Sequence, residues 1–387
     1  MWKKRISVLF TLISGLSFAS PKKIEKSTKL RAISISLLEI DPKEVGSKAR
    51  PERRRVIESA LQLAVSDRSK ELSDVGLRLT IEMNDLYQAP NSASAGVLKA
   101  IAGNSLAGIG LPTSYYAEHG GATLDGSDLT IVSPFATSAM LERFSRNLVL
   151  LMPTNRQSAL AFGQEVQNDL RAKSVAIVVP WDNAFSKDFY EQLPAPLRDT
   201  STLIKVLDDQ QNLDTVSKKV VDLNPDVVVL ASFPAFTGKL IRSIYEKGYR
   251  GTFAGPSSWG EGEGKPLHAL TKDLPIKAVL VREASEYFST PEQSRFAERF
   301  NSVSGMAFSS EAGLYYDAAN LVIDRIVQLG SKVSRASLTD AIRKEKKRCG
   351  IFSNVCKKGT QSKSIPFYVV TYERGKFSPK KVIYVGH

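Results

Sequence analysis

Residues 105–138, SLAGIGLPTSYYAEHGGATLDGSDLTIVSPFATS, decide the fold. A short apolar strand ends at Gly110 and runs into a loop carrying Thr113 and Ser114. After a helical return, a second apolar strand at residues 129–132 ends in a loop carrying Thr137 and Ser138. If the strands are parallel neighbours, both loops lie at the carboxyl edge of one sheet, where open α/β sheets bind ligands. Each loop also leads into a helix start, whose unpaired N–H groups favour an anion. The stretch reads as a seat for a small carboxylate.

Outward from this seat the chain keeps a strand–helix rhythm. Upstream, residues 30–40 form a first strand and residues 52–71 a helix with Val56, Ile57, Ala60, Leu61, Ala64 and Val65 on one face. The run Arg53, Arg54, Arg55 reads as its solvent side. A second strand at residues 77–83 and a small-residue helix at 93–102 complete the approach. Beyond Pro153 come helix 156–171, strand 175–179, helix 186–192, strand 203–207, helix 211–222, strand 227–230, helix 236–247 and strand 252–254. About four strands lie on either side of Pro153, which predicts two doubly wound parallel sheets and hence two lobes. Strand 277–283, helices 291–304, 311–329 and 337–347, and a closing hairpin about Glu373-Arg374-Gly375 follow.

The chain of 387 residues exceeds what one core ordinarily serves. Its 42% hydrophobic and 24% charged content is that of a globular protein. The start, MWKKR followed by an apolar run at residues 6–18 and the small-x-small Ser17-Phe18-Ala19, reads as a signal peptide cleaved after Ala19. Residues 20–29 form a lysine-rich leader. The apolar run is shorter than the roughly 20 residues of a membrane span. The expectation is an exported, periplasmic protein, and with no cysteine near the cleavage site it is not a lipoprotein. Cys349 and Cys356 are read first as a disulfide, the alternative being two free thiols.

The net charge of +13 is unevenly placed. Residues 343–381 hold twelve basic and two acidic residues, a net +10, and Lys3, Lys4 and Arg5 supply the other +3. Such a segment can attract an anionic envelope surface, or simply be a solvated face. Nucleic acid is not expected as a partner, because the basic residues are not interleaved with stacking aromatics in a recognisable module.

Enzyme chemistry is not legible. His119, His268 and His387 are far apart and give neither metal-ligand spacing nor a triad. Gly260-Glu261-Gly262-Glu263-Gly264-Lys265 lacks the phosphate-loop spacing, and its glutamates would repel phosphate. Gly255-Pro256-Ser257-Ser258-Trp259-Gly260 has the wrong glycine spacing for a nucleophile elbow. No catalytic residue, metal or cofactor is assigned.

In order, the pieces GIGLPTS…TIVSPFATS, VAIVVPWDNAFSKDF, PDVVVLASFPAFTGKLIRSIYEKGY, TFAGPSSWG and EAGLYYDAANLV resemble the type I periplasmic binding proteins of the branched-chain amino-acid group, over residues 30–380. The resemblance implies two interwoven lobes, residues 30–152 with 283–347 and residues 153–282 with 348–387. Three crossings near Pro153, Arg282 and Arg348 would form a hinge. It places Ser114 and Thr137 on a ligand carboxylate, aided by N–H groups around Phe135, although both hydroxyls also suit helix N-caps. An acidic residue common in the family after the "GP" strand is replaced by Ser257, and two tyrosines are replaced by Phe185 and Phe233. Either Asp182, Glu261, Glu263 or Glu283 supplies the missing charge, or the ligand lacks an amine. Tyr115, Phe135, Trp181, Phe185, Phe233 and Trp259 are expected to line the cleft with aromatic surface, with core packing as the alternative for each. The implied function is capture of a small carboxylate-bearing ligand for a membrane permease. The alternative is an envelope sensor or scaffold of the same fold.

Overall fold

The computed structural model describes residues 30–40, 50–87, 89, 91–207, 213–260, 265–284, 289–345, 350–353 and 364–386. The signal peptide and the lysine-rich leader (residues 1–29), Cys349 and Cys356, and Glu261 and Glu263 lie outside the described residues.

Lobe one is built on a parallel sheet in the order β2-β1-β3-β4-β5, from β1 (Arg31–Ile40), β2 (Leu77–Leu86), β3 (Ser105–Gly110), β4 (Ile131–Ser133) and β5 (Leu148–Leu150). The order reverses between β1 and β3, which places a switch-point crevice beside the Thr113–Ser114 loop. On one face pack α1 (Arg50–Asp67), α2 (Ser69–Asp74) and, from much later in the chain, α11 (Pro291–Ser304), α12 (Ser310–Leu329) and α13 (Arg335–Lys344). The other face is covered by α3 (Ser92–Ala102) and α4 (Ser114–Gly121). The buried α12 residues Leu314, Ala318, Val322 and Ile326 show the spacing that brings one stripe of a helix onto its neighbours.

Lobe two holds a seven-stranded sheet, order β12-β11-β10-β9-β8-β6-β7. Its parallel part is β6 (Val175–Pro180), β7 (Thr202–Val206), β8 (Val227–Leu230), β9 (Thr252–Pro256) and β10 (Lys277–Arg282). The hairpin β11 (Ser364–Glu373) and β12 (Lys376–Gly386) adds two antiparallel strands beside β10. Arg374 and Gly375 both take positive φ, 49° and 76°, as a two-residue hairpin turn requires. One sheet face is covered by α5 (Asn155–Gln164), α6 (Ala184–Glu191) and α7 (Ala195–Thr200), the other by α8 (Leu213–Leu223), α9 (Pro234–Glu246) and α10 (Lys265–Thr271).

The chain therefore enters lobe two after β5, returns after β10, and crosses again beyond Phe352, which still packs in the lobe-one core. That last passage lies further along than the crossing expected near Arg348. β5 has no counterpart in the sequence reading, because its three residues sit unpunctuated in the apolar run NLVLLMP. The arginine run also differs from expectation. Arg53 pairs with Glu39 on β1 (2.8 Å) and with Glu311 on α12, while Arg54 is buried against Glu58 (2.7 Å) and Asp85 (2.9 Å). Only Arg55 of the three stands exposed.

Candidate functional site

The site begins with a tight bend at the end of β3. Gly110 has φ +136°, and a Cβ there would lie 2.0 Å from the Leu38 carbonyl oxygen on the neighbouring strand. Leu111 follows at φ 56°, an unusual left-handed conformation for a branched side chain. Its N–H donates to Leu38 O (3.0 Å) and its carbonyl accepts from Ser133 Oγ (3.0 Å). Backbone strain of this kind persists only where the surroundings enforce it. Here it turns the chain so that Ser114 starts α4 against the loop after β4.

Ser114 is 2% exposed, and its Oγ accepts the N–H of Ser138 (3.1 Å) and, more weakly, of Thr137 (3.4 Å). The structure thus brings together the two loops singled out in the sequence. Neither hydroxyl is a helix cap: Thr113 occupies the N-cap of α4, and Ser138 that of the 3-10 turn Ala139–Arg143. A hydroxyl has two acceptor positions and one donor. With both acceptor positions directed to loop amides, the Ser114 O–H remains available as a donor. Thr137 is 6% exposed, and its carbonyl accepts the N–H of Asn155 at the start of α5 (2.6 Å).

The aromatic residues divide into two groups. Phe185 on α6 lies 5.8 Å from Phe233, ring to ring, and stacks on Phe189 at 6.1 Å. Phe135 and Tyr115 are half-buried on the lobe-one side, Phe135 at 6.1 Å from the Tyr315 ring and Tyr115 at 4.5 Å from that of His119. Trp181 is half-buried at the end of β6, with the Lys205 ammonium 3.7 Å from its ring centroid. Such a cation over an indole face is a favourable electrostatic contact.

Trp259 does not belong with them. Fully buried among the lobe-two core residues, it donates its indole N–H to Leu230 O (2.8 Å). The turn Ser257–Trp259 swings its ring back over Gly255 instead of into the cleft. Ser257 itself is half-buried at the start of that turn. Of the acidic candidates, Asp182 is exposed and Glu283 is 3% exposed, accepting a hydrogen bond from Ser158 Oγ.

Sequence reasoning missed the residues that join the two halves. Asp188 on α6 accepts the N–H of Ala139 (2.9 Å) and the side-chain amide of Asn155 (2.8 Å). Glu118 on α4 lies near Asp188, and burial raises its pKa, with Asp188 adding and His119 opposing. Among the described residues no group of three or more His, Cys, Asp or Glu could hold a metal ion, and no helix is long and apolar enough to cross a membrane.

Two α/β lobes, with ligand-type loops at sheet edges that meet across a junction, define a two-lobe binding protein. The chain belongs to the periplasmic binding protein family, whose model matches residues 56–375. Its fold is similar to that of the branched-chain amino-acid transporter substrate binding protein LivJ from Streptococcus pneumoniae, solved with isoleucine (TM-score 0.75, 15% identity, 92% of this chain and 100% of that chain). It is also similar to the leucine binding protein LivK from Thermotoga maritima (TM-score 0.76, 16% identity, 91% of this chain and 98% of that one). A third likeness is to an ABC-transporter solute binding protein from R. palustris in complex with benzoate (TM-score 0.73, 17% identity, 92% and 98%). No curated protein matches the sequence. The resemblance carried by the sequence motifs is confirmed for family and fold.

Proposed function

We propose that this protein is the exported solute-capturing component of an ABC-type importer, and that it encloses a small carboxylate-bearing ligand between its lobes. Ser114 carries the reading. Its buried hydroxyl holds two loop amides and keeps one donor, next to the helix start of α4, which suits a carboxylate without a neighbouring cation. Thr137 and the Phe135 loop complete the lobe-one seat; Phe185, Phe233, Ser257 and Trp181 offer the lobe-two side, mostly apolar and aromatic. The ligand is accordingly an amino acid with an apolar side chain or an aromatic acid. Relatives in the same fold solved with isoleucine and with benzoate support both chemistries. Capture, rather than catalysis, is the role, with a membrane permease as the receiving partner and the periplasm as the place. The signal peptide at residues 1–19 supplies the export step, and a Cys349–Cys356 disulfide is compatible with that compartment.

Thermal melting of the mature chain against branched-chain amino acids, their keto acids, benzoate and hydroxybenzoates tests the proposal. A ligand present at about one hundred times its Kd should stabilise the fold by roughly 2.7 kcal/mol and raise the melting temperature by several degrees. If no small carboxylate shifts the melt, and mass spectrometry finds none released from native protein, the reading fails.

A further inference from the structure

We infer that Asp188 is a positioning residue for ligand capture: its buried carboxylate fastens the lobe-one loop carrying Thr137 to the lobe-two helix carrying Phe185. The inference rests on the proposed binding role and adds to it the residue that couples the two halves of the site.

Asp188 is 4% exposed, and its Oδ2 receives two donors from different parts of the molecule. One is the Ala139 N–H (2.9 Å), at the start of the 3-10 turn that follows Thr137 in lobe one. The other is the Asn155 side-chain amide (2.8 Å), where the chain has just left lobe one. Asn155, fully buried, gives its backbone N–H to Thr137 O (2.6 Å) and directs its side-chain amide also at Phe185 O (3.4 Å). Two side chains therefore connect the backbone of the carboxylate seat to the backbone of the aromatic helix.

The chemistry of the junction is unbalanced in a way that packing alone does not require. Among the described residues no cation pairs with Asp188, and its Oδ1 and the Asn155 Oδ1 are both buried without a hydrogen-bond partner. A buried carboxylate with so few donors is costly, and an apolar side chain of similar volume would fill the space at less cost. What an apolar side chain cannot do is hold the Ala139 amide, whose position at a turn start favours an anion. Since that amide belongs to the opposite lobe, separating the lobes removes half of the donors that make the charge tolerable. Asp188 thus favours the arrangement in which the Thr137 loop and Phe185 are held together.

The experiment compares the wild-type mature chain with Asp188→Asn, Asp188→Ser and the exposed lobe-two control Asp222→Asn. Hydrogen exchange followed by mass spectrometry needs no ligand: exchange in the peptide spanning residues 137–143 should quicken about tenfold or more in both Asp188 variants, with the β8 peptide unchanged. L-Isoleucine serves as the binding probe in stopped flow, where dissociation should quicken about five- to twentyfold and association stay within about twofold. Unchanged exchange at 137–143 in both folded variants overturns the inference, as does a loss of affinity that lies wholly in association. If L-isoleucine does not bind the wild type, that result counts against the ligand choice alone, and the exchange measurement still decides the role of Asp188.

Discussion

Ser114 and Trp259 both follow apolar strands in polar, small-residue loops, yet they do opposite jobs. Replacing Ser114 by Ala removes the acceptor for two loop amides and the donor proposed for the ligand carboxylate. At about 1.5–3 kcal/mol for a hydrogen bond to a charged group, affinity for the carboxylate identified by the melting panel should fall about 10- to 100-fold in isothermal titration, and the melting temperature should drop too, because the buried Thr137 and Ser138 N–H groups lose their acceptor. Trp259→Phe should lower stability alone. It leaves the Leu230 carbonyl without its 2.8 Å donor inside the lobe-two core, which costs about 1–3 kcal/mol in urea unfolding and leaves affinity unchanged. The two hydroxyl loops were legible because residue type and strand-end position both point to them. Trp259 was not, because side-chain direction in a short turn has no periodicity to betray it. Asp188 looks like one polar position on an amphipathic helix; its burial depends on a loop 49 residues earlier in the chain, and no local pattern encodes that.

At the scale of elements, α12 shows how distant segments complete lobe one. Asp317, buried on this helix, accepts the N–H groups of Ile351 (2.9 Å), Phe352 (2.6 Å) and Ser353 (2.7 Å), and so holds the chain shortly before it crosses for the third time. Burial raises its pKa from 3.8 to about 6, outweighing the three N–H groups that lower it. Between these values the folded protein keeps a proton that the unfolded chain releases. The stabilising contribution of the protonated group is therefore full below about pH 3.8 and is lost as pH rises through about 6. Asp317→Asn cannot titrate. The stability gap between the two proteins should shift by roughly 3 kcal/mol in favour of the variant from pH 4 to 7, measured by urea unfolding at each pH. A gap that stays constant would show that Asp317 does not change protonation on folding. Helix α12 itself was plain from the spacing of its apolar residues, whereas the three-residue β5 was not, since periodicity needs length. The buried role of Arg53 and Arg54 was hidden for another reason: their partners Glu39, Glu311 and Asp85 come from other elements.

The whole molecule is two sheets joined by three passages of chain, so relative movement of the lobes reaches every contact at their junction. The basic C-terminal segment takes part in holding one lobe together, because Lys380 and Lys381 pair with Glu165 and Lys381 also with Asp169, which fastens the terminal hairpin to the chain just after α5. At the junction, by contrast, like charges face each other: Glu118 of lobe one lies near Asp188 of lobe two, with Ser138, His119 and Lys187 around it. Burial, joined by the field of Asp188, raises the Glu118 pKa above its ordinary 4.5, against the lowering effects of His119, Ser138 and Lys187. Both raising causes weaken if the lobes part, so bringing them together takes up a proton. Closure is then most favoured below about pH 4.5 and loses this contribution as pH rises through the elevated value. If the ligand is captured by closure, as proposed, its affinity should fall a few-fold across that range in the wild type and more weakly in Glu118→Gln. Titrations of both proteins at matched ionic strength from about pH 4 to 8 check the linkage, and parallel pH profiles would show that Glu118 keeps the same protonation state whether or not the lobes meet.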